Sequence, residues 1–147
     1  MGLVKVVVDG IAVDRERDHP VVMLRPLESE GGEVLPIWIG PAEATAIYTV
    51  LAGKALERPM THDLLKLVVE ELGGRVASIE ITGLQKDTYF ARIVLQRGEE
   101  LFFIDARPSD SIALALRAGS SIYVDSGLFE KYKRNLQIDS DDDDSVK

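Results

Sequence analysis

The sequence predicts an α+β protein in which a mixed, mainly antiparallel sheet is flanked by helices. Segments rich in β-branched residues recur in groups of three, separated by short polar turns. An alanine-rich segment that opens with proline and closes with Ala-Gly follows each group. The chain has 147 residues, of which 46% are hydrophobic, and this is enough for one domain with its own core.

The first group of strands opens with a hairpin. Alternating apolar runs at 3–13 and 19–27 flank the charged turn 14–18. A third strand is predicted at 33–39, and its Pro36 favours an edge position or a bulge because proline cannot donate a ladder hydrogen bond.

A helix is predicted after each group of strands, from Gly40-Pro41 to Gly53 and from Pro108 to Gly119. Both helices carry a carboxylate two residues after the opening proline, Glu43 in the first and Asp110 in the second. The repeated β-β-β-α order suggests an internal duplication that would bring the two helix N-termini into equivalent positions.

A further helix lies between the two blocks. Thr61 is its predicted N-cap, and Leu64, Leu65, Val68, Val69 and Leu72 recur at helical spacing up to Gly73-Gly74. The second group of strands, a last short strand and a final amphipathic turn are predicted at 75–84, 88–96, 99–106, 121–124 and 128–134.

Charge and composition exclude several classes of protein. Of the net charge of -8, residues 139–147 hold -4, from five Asp and one Lys, and we expect a disordered acidic tail after a domain at 1–138. The mildly acidic body argues against tight binding of duplex nucleic acid. The absence of cysteine excludes disulfides, thiolate nucleophiles and cysteine zinc sites. No apolar stretch reaches the roughly 18 residues of a membrane span, and we expect a cytoplasmic protein.

Three polar clusters stand where helices are predicted to begin, at 40–43, 58–63 and 105–110. One interpretation is structural: acidic residues complement the helix dipole, and Thr61 and Ser109 cap free N–H groups. The other is functional, because Arg58 and Arg107 suit a phosphate anion. Both arginines could instead pair with neighbouring carboxylates.

His62 is a candidate general acid or base, a candidate metal ligand, or an ordinary surface histidine. If they meet in space, the carboxylates of Glu43, Asp63, Asp105 and Asp110 could hold a divalent cation such as Mg²⁺. We expect the aromatic residues Trp38, Tyr48, Tyr89 and Phe90 to lie in the core or at an interface rather than to stack on bases.

Three segments carry a family resemblance: LPIWIG followed by Glu43, then RPMTHDLL, then IDARPSDSIALA. Together they resemble the bifunctional nuclease family over roughly residues 3–135. The resemblance implies an α+β fold and hydrolysis of both RNA and DNA. The family's characteristic polar residues fall here on Glu43, Arg58, Thr61, His62, Asp63, Asp105, Arg107, Ser109 and Asp110.

The leading hypothesis is a nuclease-like phosphodiester hydrolase that binds RNA or DNA weakly. Its catalytic residues would be His62, Asp63, Arg107 and Asp110, its phosphate-binding residues Arg58, Thr61 and Ser109, and its metal ligands Glu43 and Asp105. The alternative is a non-enzymatic module in which the same segments organise an anion pocket or an oligomer interface. In that alternative the sheet edges would pair in a homodimer. In either case we expect a homo-oligomer, with a dimer favoured.

Overall fold

The computed structural model describes residues 2–28 and 33–132 and confirms the predicted α+β class. In chain order its elements are β1 (Leu3–Asp14), β2 (His19–Pro26), β3 (Leu35–Trp38), α1 (Pro41–Leu51), α2 (Thr61–Glu71), β4 (Arg75–Gln85), β5 (Thr88–Arg97), β6 (Glu100–Ala106), α3 (Pro108–Ala118) and β7 (Ser121–Asp125). A helical segment follows at 127–132, and the end of the last predicted turn and the acidic tail lie outside the described residues.

The seven strands form one sheet in the order β3-β2-β1-β7-β4-β5-β6. Every neighbouring pair is antiparallel except β4 and β7, which are parallel. The structure confirms the two β-β-β groups and the proline-initiated helix that comes directly after each of them. β7 joins them because it lies between β1 and β4, and Pro36 is on the edge strand β3, as predicted.

The core lies between the sheet and α3. This helix contacts β4, β5 and β7 on the sheet, and α1 and α2 on either side. Ile112 and Leu114 of α3 are fully buried, as are Ile79 and Ile81 of β4. Burial of each such side chain stabilises the fold by about 1.5–3 kcal/mol, so α3 is the best-anchored helix.

Helix α2 forms as predicted, but its apolar stripe is not part of the core. None of its residues is fully buried, and Leu64, Leu65, Val68 and Leu72 face outward. Its contacts are with α3 and β4, which cover only the opposite side of the helix. No helix among the described residues is long and apolar enough to cross a membrane.

The start of α2 differs from the prediction. Met60, not Thr61, is the N-cap, and Thr61 is the first helical residue. The Asp63 carboxylate accepts a hydrogen bond from the Met60 backbone N–H at 2.8 Å and takes the capping role assigned to Thr61. Tyr48 and Phe90 are exposed on this chain and are not core residues, so for these two only the interface placement stays a prediction.

Arg117, in the last turn of α3, ties the three helices together. Its Nε donates to Asp63 Oδ1 of α2 at 2.7 Å, and its Nη2 donates to the Ala46 carbonyl of α1 at 3.0 Å. A third bond runs from Nη1 to the Ala113 carbonyl within α3 at 3.0 Å. The Arg117 side chain is only 4% exposed, so these bonds form where water cannot replace them.

We therefore expect Arg117→Met to lower the free energy of unfolding by about 3 kcal/mol, because it removes three buried bonds and leaves Asp63 without its partner. The matched control is Lys66→Met, which breaks the exposed Lys66–Glu70 pair of α2 and should cost about 0.3–0.5 kcal/mol. Urea unfolding followed by circular dichroism measures both. Equal losses in the two variants would contradict a special role for Arg117.

Candidate functional site

The N-termini of α1 and α3 meet, and an arginine and two carboxylates connect them. Arg107 Nε donates to Asp110 Oδ2 at 2.9 Å, and Nη2 donates to Asp110 Oδ1 at 3.2 Å. Arg107 Nη1 donates to Glu43 Oε1 at 3.0 Å, across 64 positions of sequence. The carboxylates that follow the two helix-opening prolines thus share one guanidinium, in line with the equivalent positions predicted for them.

His62, at the start of α2, joins the same cluster. Its Nε2 lies 3.0 Å from Asp110 Oδ1. An ionised carboxylate only accepts hydrogen bonds, so Nε2 carries the proton and Nδ1 of the neutral ring is the acceptor. The cluster of Glu43, His62, Arg107 and Asp110 therefore combines a guanidinium, two carboxylates and an imidazole whose Nδ1 makes no hydrogen bond to a described residue.

Electrostatics within the cluster follow from these contacts. Burial alone would raise the pKa of Asp110, but hydrogen bonds from Arg107 and His62 outweigh it and lower the pKa below its ordinary value. The bond and charge of Asp110, with those of Glu43, raise the pKa of Arg107. Asp110 and Arg107 are therefore both held in their charged forms near neutral pH.

Local sequence explains why these side chains meet. Gly40 is the N-cap of α1, and a Cβ at that position would overlap the Glu43 carboxylate. Only glycine lets Glu43 fold back over the helix start without a shift. At α3, the buried Ser111 hydroxyl donates to the Arg107 carbonyl at 2.9 Å and fixes the backbone from which the guanidinium extends.

A cavity of about 290 Å³ opens beside the cluster. Its wall includes Trp38, Gly40, Glu43, Tyr89, Arg107 and Ser109. Burial raises the pKa of Tyr89 to about 12, so its phenol stays neutral. The Arg107 side chain is 64% exposed, which leaves the guanidinium accessible to an anion despite its two carboxylate partners.

The structure does not bring every predicted site residue into this cluster. Asp63 accepts hydrogen bonds from the Met60 backbone N–H and from Arg117. These bonds lower the pKa of Asp63, the backbone bond most of all. Ser109 is buried at the cavity wall. Arg58, Thr61 and Asp105 make no side-chain hydrogen bond or ion pair to any described residue.

The metal ligand set assigned from sequence is not assembled in the described part of the chain. No three His, Asp or Glu side chains come together there in an arrangement that could hold a metal ion. Glu43 is paired with Arg107, and Asp105 lies on β6 opposite Arg92 of β5. Glu43 Oε2 makes no hydrogen bond to a described residue.

Sequence reasoning missed Arg117. Arg117 lies in the last turn of the helix, just before the C-terminal Gly119. An arginine at this position ordinarily complements the helix dipole at the surface. Nothing local distinguishes it from such a residue, and its partners on α1 and α2 are 71 and 54 positions away.

Comparison with known proteins gives a consistent result. The family model described as the bifunctional nuclease domain matches residues 22–137. An uncharacterized protein of Mycobacterium tuberculosis is 38% identical over 143 residues, which is 97% of this chain and 83% of the relative.

Plant relatives are more distant. Bifunctional nuclease 1 of Arabidopsis thaliana is 27% identical over 113 residues, 75% of this chain and 34% of the relative. Bifunctional nuclease 1 of Oryza sativa subsp. japonica is 27% identical over 123 residues, 82% of this chain and 36% of the relative. The chain thus spans about a third of the plant proteins that it matches.

Because the folded state lowers the pKa of Asp110, its carboxylate should stabilise the fold above the ordinary pKa of about 4. That contribution is lost as the pH falls from about 4 through the lower pKa of the folded state. We expect Asp110→Asn to be less stable than wild type by about 1 kcal/mol at pH 7, with the gap closing toward pH 3. Thermal unfolding from pH 7 to 3 measures the gap.

The control is Asp18→Asn in the exposed β1–β2 turn, where no described residue pairs with Asp18. We expect it to follow wild type at every pH. A gap between wild type and Asp110→Asn that does not change with pH would mean that the Asp110 charge contributes nothing.

Proposed function

The chain belongs to the bifunctional nuclease domain family, and we propose that it is a nuclease-like phosphodiester hydrolase acting on RNA, DNA or both. The observation that carries this proposal is the connected series His62–Asp110–Arg107, whose Arg107 end lines an open cavity. It combines a base for water with a cation for phosphate, and those are the two groups that hydrolysis of a phosphodiester needs most.

Arg107 would bind the phosphate. A guanidinium has five N–H donors, and the bonds to Asp110 and Glu43 use three of them, one on each nitrogen. One donor on each Nη therefore remains for two phosphate oxygens, the forked geometry that arginine favours. Asp110 and Glu43 would hold the guanidinium in place and reduce the entropy lost on binding.

His62 would act as the general base. Its Nδ1 would accept a proton from water as the water oxygen forms a bond to phosphorus, and the bond from phosphorus to the leaving oxygen breaks. Asp110 would orient the ring and stabilise the imidazolium that forms, and the leaving oxygen would take a proton from solvent. Ser109 at the cavity wall would contact the substrate.

Charge explains why substrate binding should be weak. With neutral His62, the cluster of Glu43, Asp110 and Arg107 has a net charge of -1, and the body of the chain is acidic as well. A divalent cation such as Mg²⁺, bound together with the substrate phosphate, would offset this repulsion. The roles of Arg58 and Thr61 in phosphate binding, Asp63 in catalysis and Asp105 in metal binding stay predictions.

The test is cleavage of end-labelled single-stranded RNA and DNA by purified protein with Mg²⁺, Mn²⁺ or EDTA. We expect Arg107→Ala to reduce the rate by 100-fold or more, because it removes the phosphate donors. His62→Asn should reduce it by 100- to 10,000-fold, because asparagine cannot serve as the base.

The matched control is Arg75→Ala, which removes the same charge from an exposed position at the start of β4, beside the C-terminal end of α3 and so away from Arg107 at its start. It should cut like wild type. Equal rates for wild type, Arg107→Ala and His62→Asn would point to a contaminating nuclease and sink the proposal.

A second candidate is an anion-binding module without hydrolysis. The observation that favours it is the pairing of Arg107 with two carboxylates, which could equally serve to join α1 and α3. Isothermal titration with a dinucleotide separates the two candidates. Binding that needs Arg107, without cleavage under any metal condition, supports the module.

A further inference from the structure

The two edges of the sheet differ sharply. β3, at one edge, has four residues and contains Pro36, so it offers little to a pairing strand. β6, at the other edge, has seven residues with no proline and no lysine. Natural proteins ordinarily protect an edge strand of this length, and β6 shows none of the usual devices at its centre.

The centre of β6 is also apolar on both sides. The run 101–104 reads Leu-Phe-Phe-Ile, and all four side chains are between 38% and 55% exposed. Phe102 and Ile104 lie opposite Leu95 and Ile93 of β5 and so face the helix layer, while Leu101 and Phe103 face the other side. An element that packed on one face alone would leave the other face uncovered.

The outward stripe of α2 continues this surface. Val68 and Leu72 line, together with the run 101–104, an apolar groove of about 560 Å³ between α2 and β6. We call the surface formed by Leu65, Val68 and Leu72 of α2 and by the run 101–104 the α2–β6 face. At about 200 Å² for each large side chain, its exposed fractions amount to about 700 Å².

From this surface we infer that the protein is a homodimer in which β6 of each copy pairs antiparallel with β6 of the other. The area is close to the ~800 Å² that each partner buries in a standard interface. Pairing satisfies the free N–H and C=O groups of the edge, continues the sheet across the twofold axis and keeps both helix layers on one side. Helix-facing side chains of the second copy then cover the groove beside α2.

Strand length selects the register, because Phe103 is the middle residue of β6 and only a pairing centred on it uses all seven residues. If Phe103 lies opposite itself, Glu100 faces Ala106 and Asp105 faces Leu101, so no carboxylate faces another. A twofold axis normal to the sheet requires one residue to lie opposite its own copy, and centring on Phe102 or Ile104 instead would pair only five of the seven residues of β6. Phe103 is therefore placed on the twofold axis, where the two rings form a cross-strand aromatic pair.

This inference does not depend on hydrolysis, and mass measurement tests it. Light scattering of the full chain at about 100 µM should give twice 16.2 kDa. Phe103→Lys places a charge at the centre of the interface and should weaken dimerisation at least 100-fold. Leu56→Lys is the matched control, because Leu56 is 53% exposed against 55% for Phe103 but lies in the loop before α2.

Cross-linking tests the register. The chain has no cysteine, so a single introduced cysteine can form a disulfide only with the same cysteine of a second copy. Directly opposite Cα atoms of antiparallel strands are about 4.5–5.5 Å apart, within the span of a disulfide. Under mild oxidation Phe103→Cys should form a reducible dimer, whereas Leu101→Cys and Leu56→Cys should not.

A monomeric wild type overturns the inference, whether a partner protein or another segment of this chain covers the face. So does a Phe103→Lys variant that remains folded by circular dichroism and stays dimeric. Cross-linking of Leu101→Cys as readily as Phe103→Cys overturns the register and, with it, the placement of the twofold axis.

Discussion

The helix layer depends on the buried guanidinium of Arg117. From α3, which is anchored in the core, the guanidinium donates hydrogen bonds to a backbone carbonyl of α1 and to a carboxylate of α2. Buried charge is costly unless it is fully bonded, and this condition fixes where α1 and α2 can lie. Asp63 serves the arrangement twice, because it also caps the Met60 N–H at the start of α2.

The catalytic candidate inherits its geometry from this arrangement. His62 immediately precedes Asp63, so the contact that holds α2 against α3 also sets the imidazole beside Asp110. Glu43 and Asp110 then share Arg107 because their helices start side by side. The two arginines have different roles. The buried Arg117 positions the helices, and the exposed Arg107 remains available to a ligand.

The same packing explains the exposed apolar surface. α2 turns its polar contacts toward α3, so Val68, with Leu72 directly after the helix, is left exposed beside β6. A helix whose apolar stripe is unburied within one chain contributes little to that chain's own stability. The stripe and the unprotected edge of β6 lie next to each other, and a second copy would bury both at once.

Sequence alone determined the order and type of the elements, because strand alternation, helix-opening prolines and helix-ending glycines are local properties. It also located all four residues of the cluster, through the carboxylates after Pro41 and Pro108 and the polar segments around them. The tertiary structure decided what no local pattern contains: β7 between β1 and β4, Arg117 bonded across 54 and 71 positions, and α2 with its stripe outward. It also separated the residues that meet from those that do not, such as Asp105 and Arg58. Periodicity states that a helix has an apolar side, but only the packing of the other elements decides whether that side faces the core.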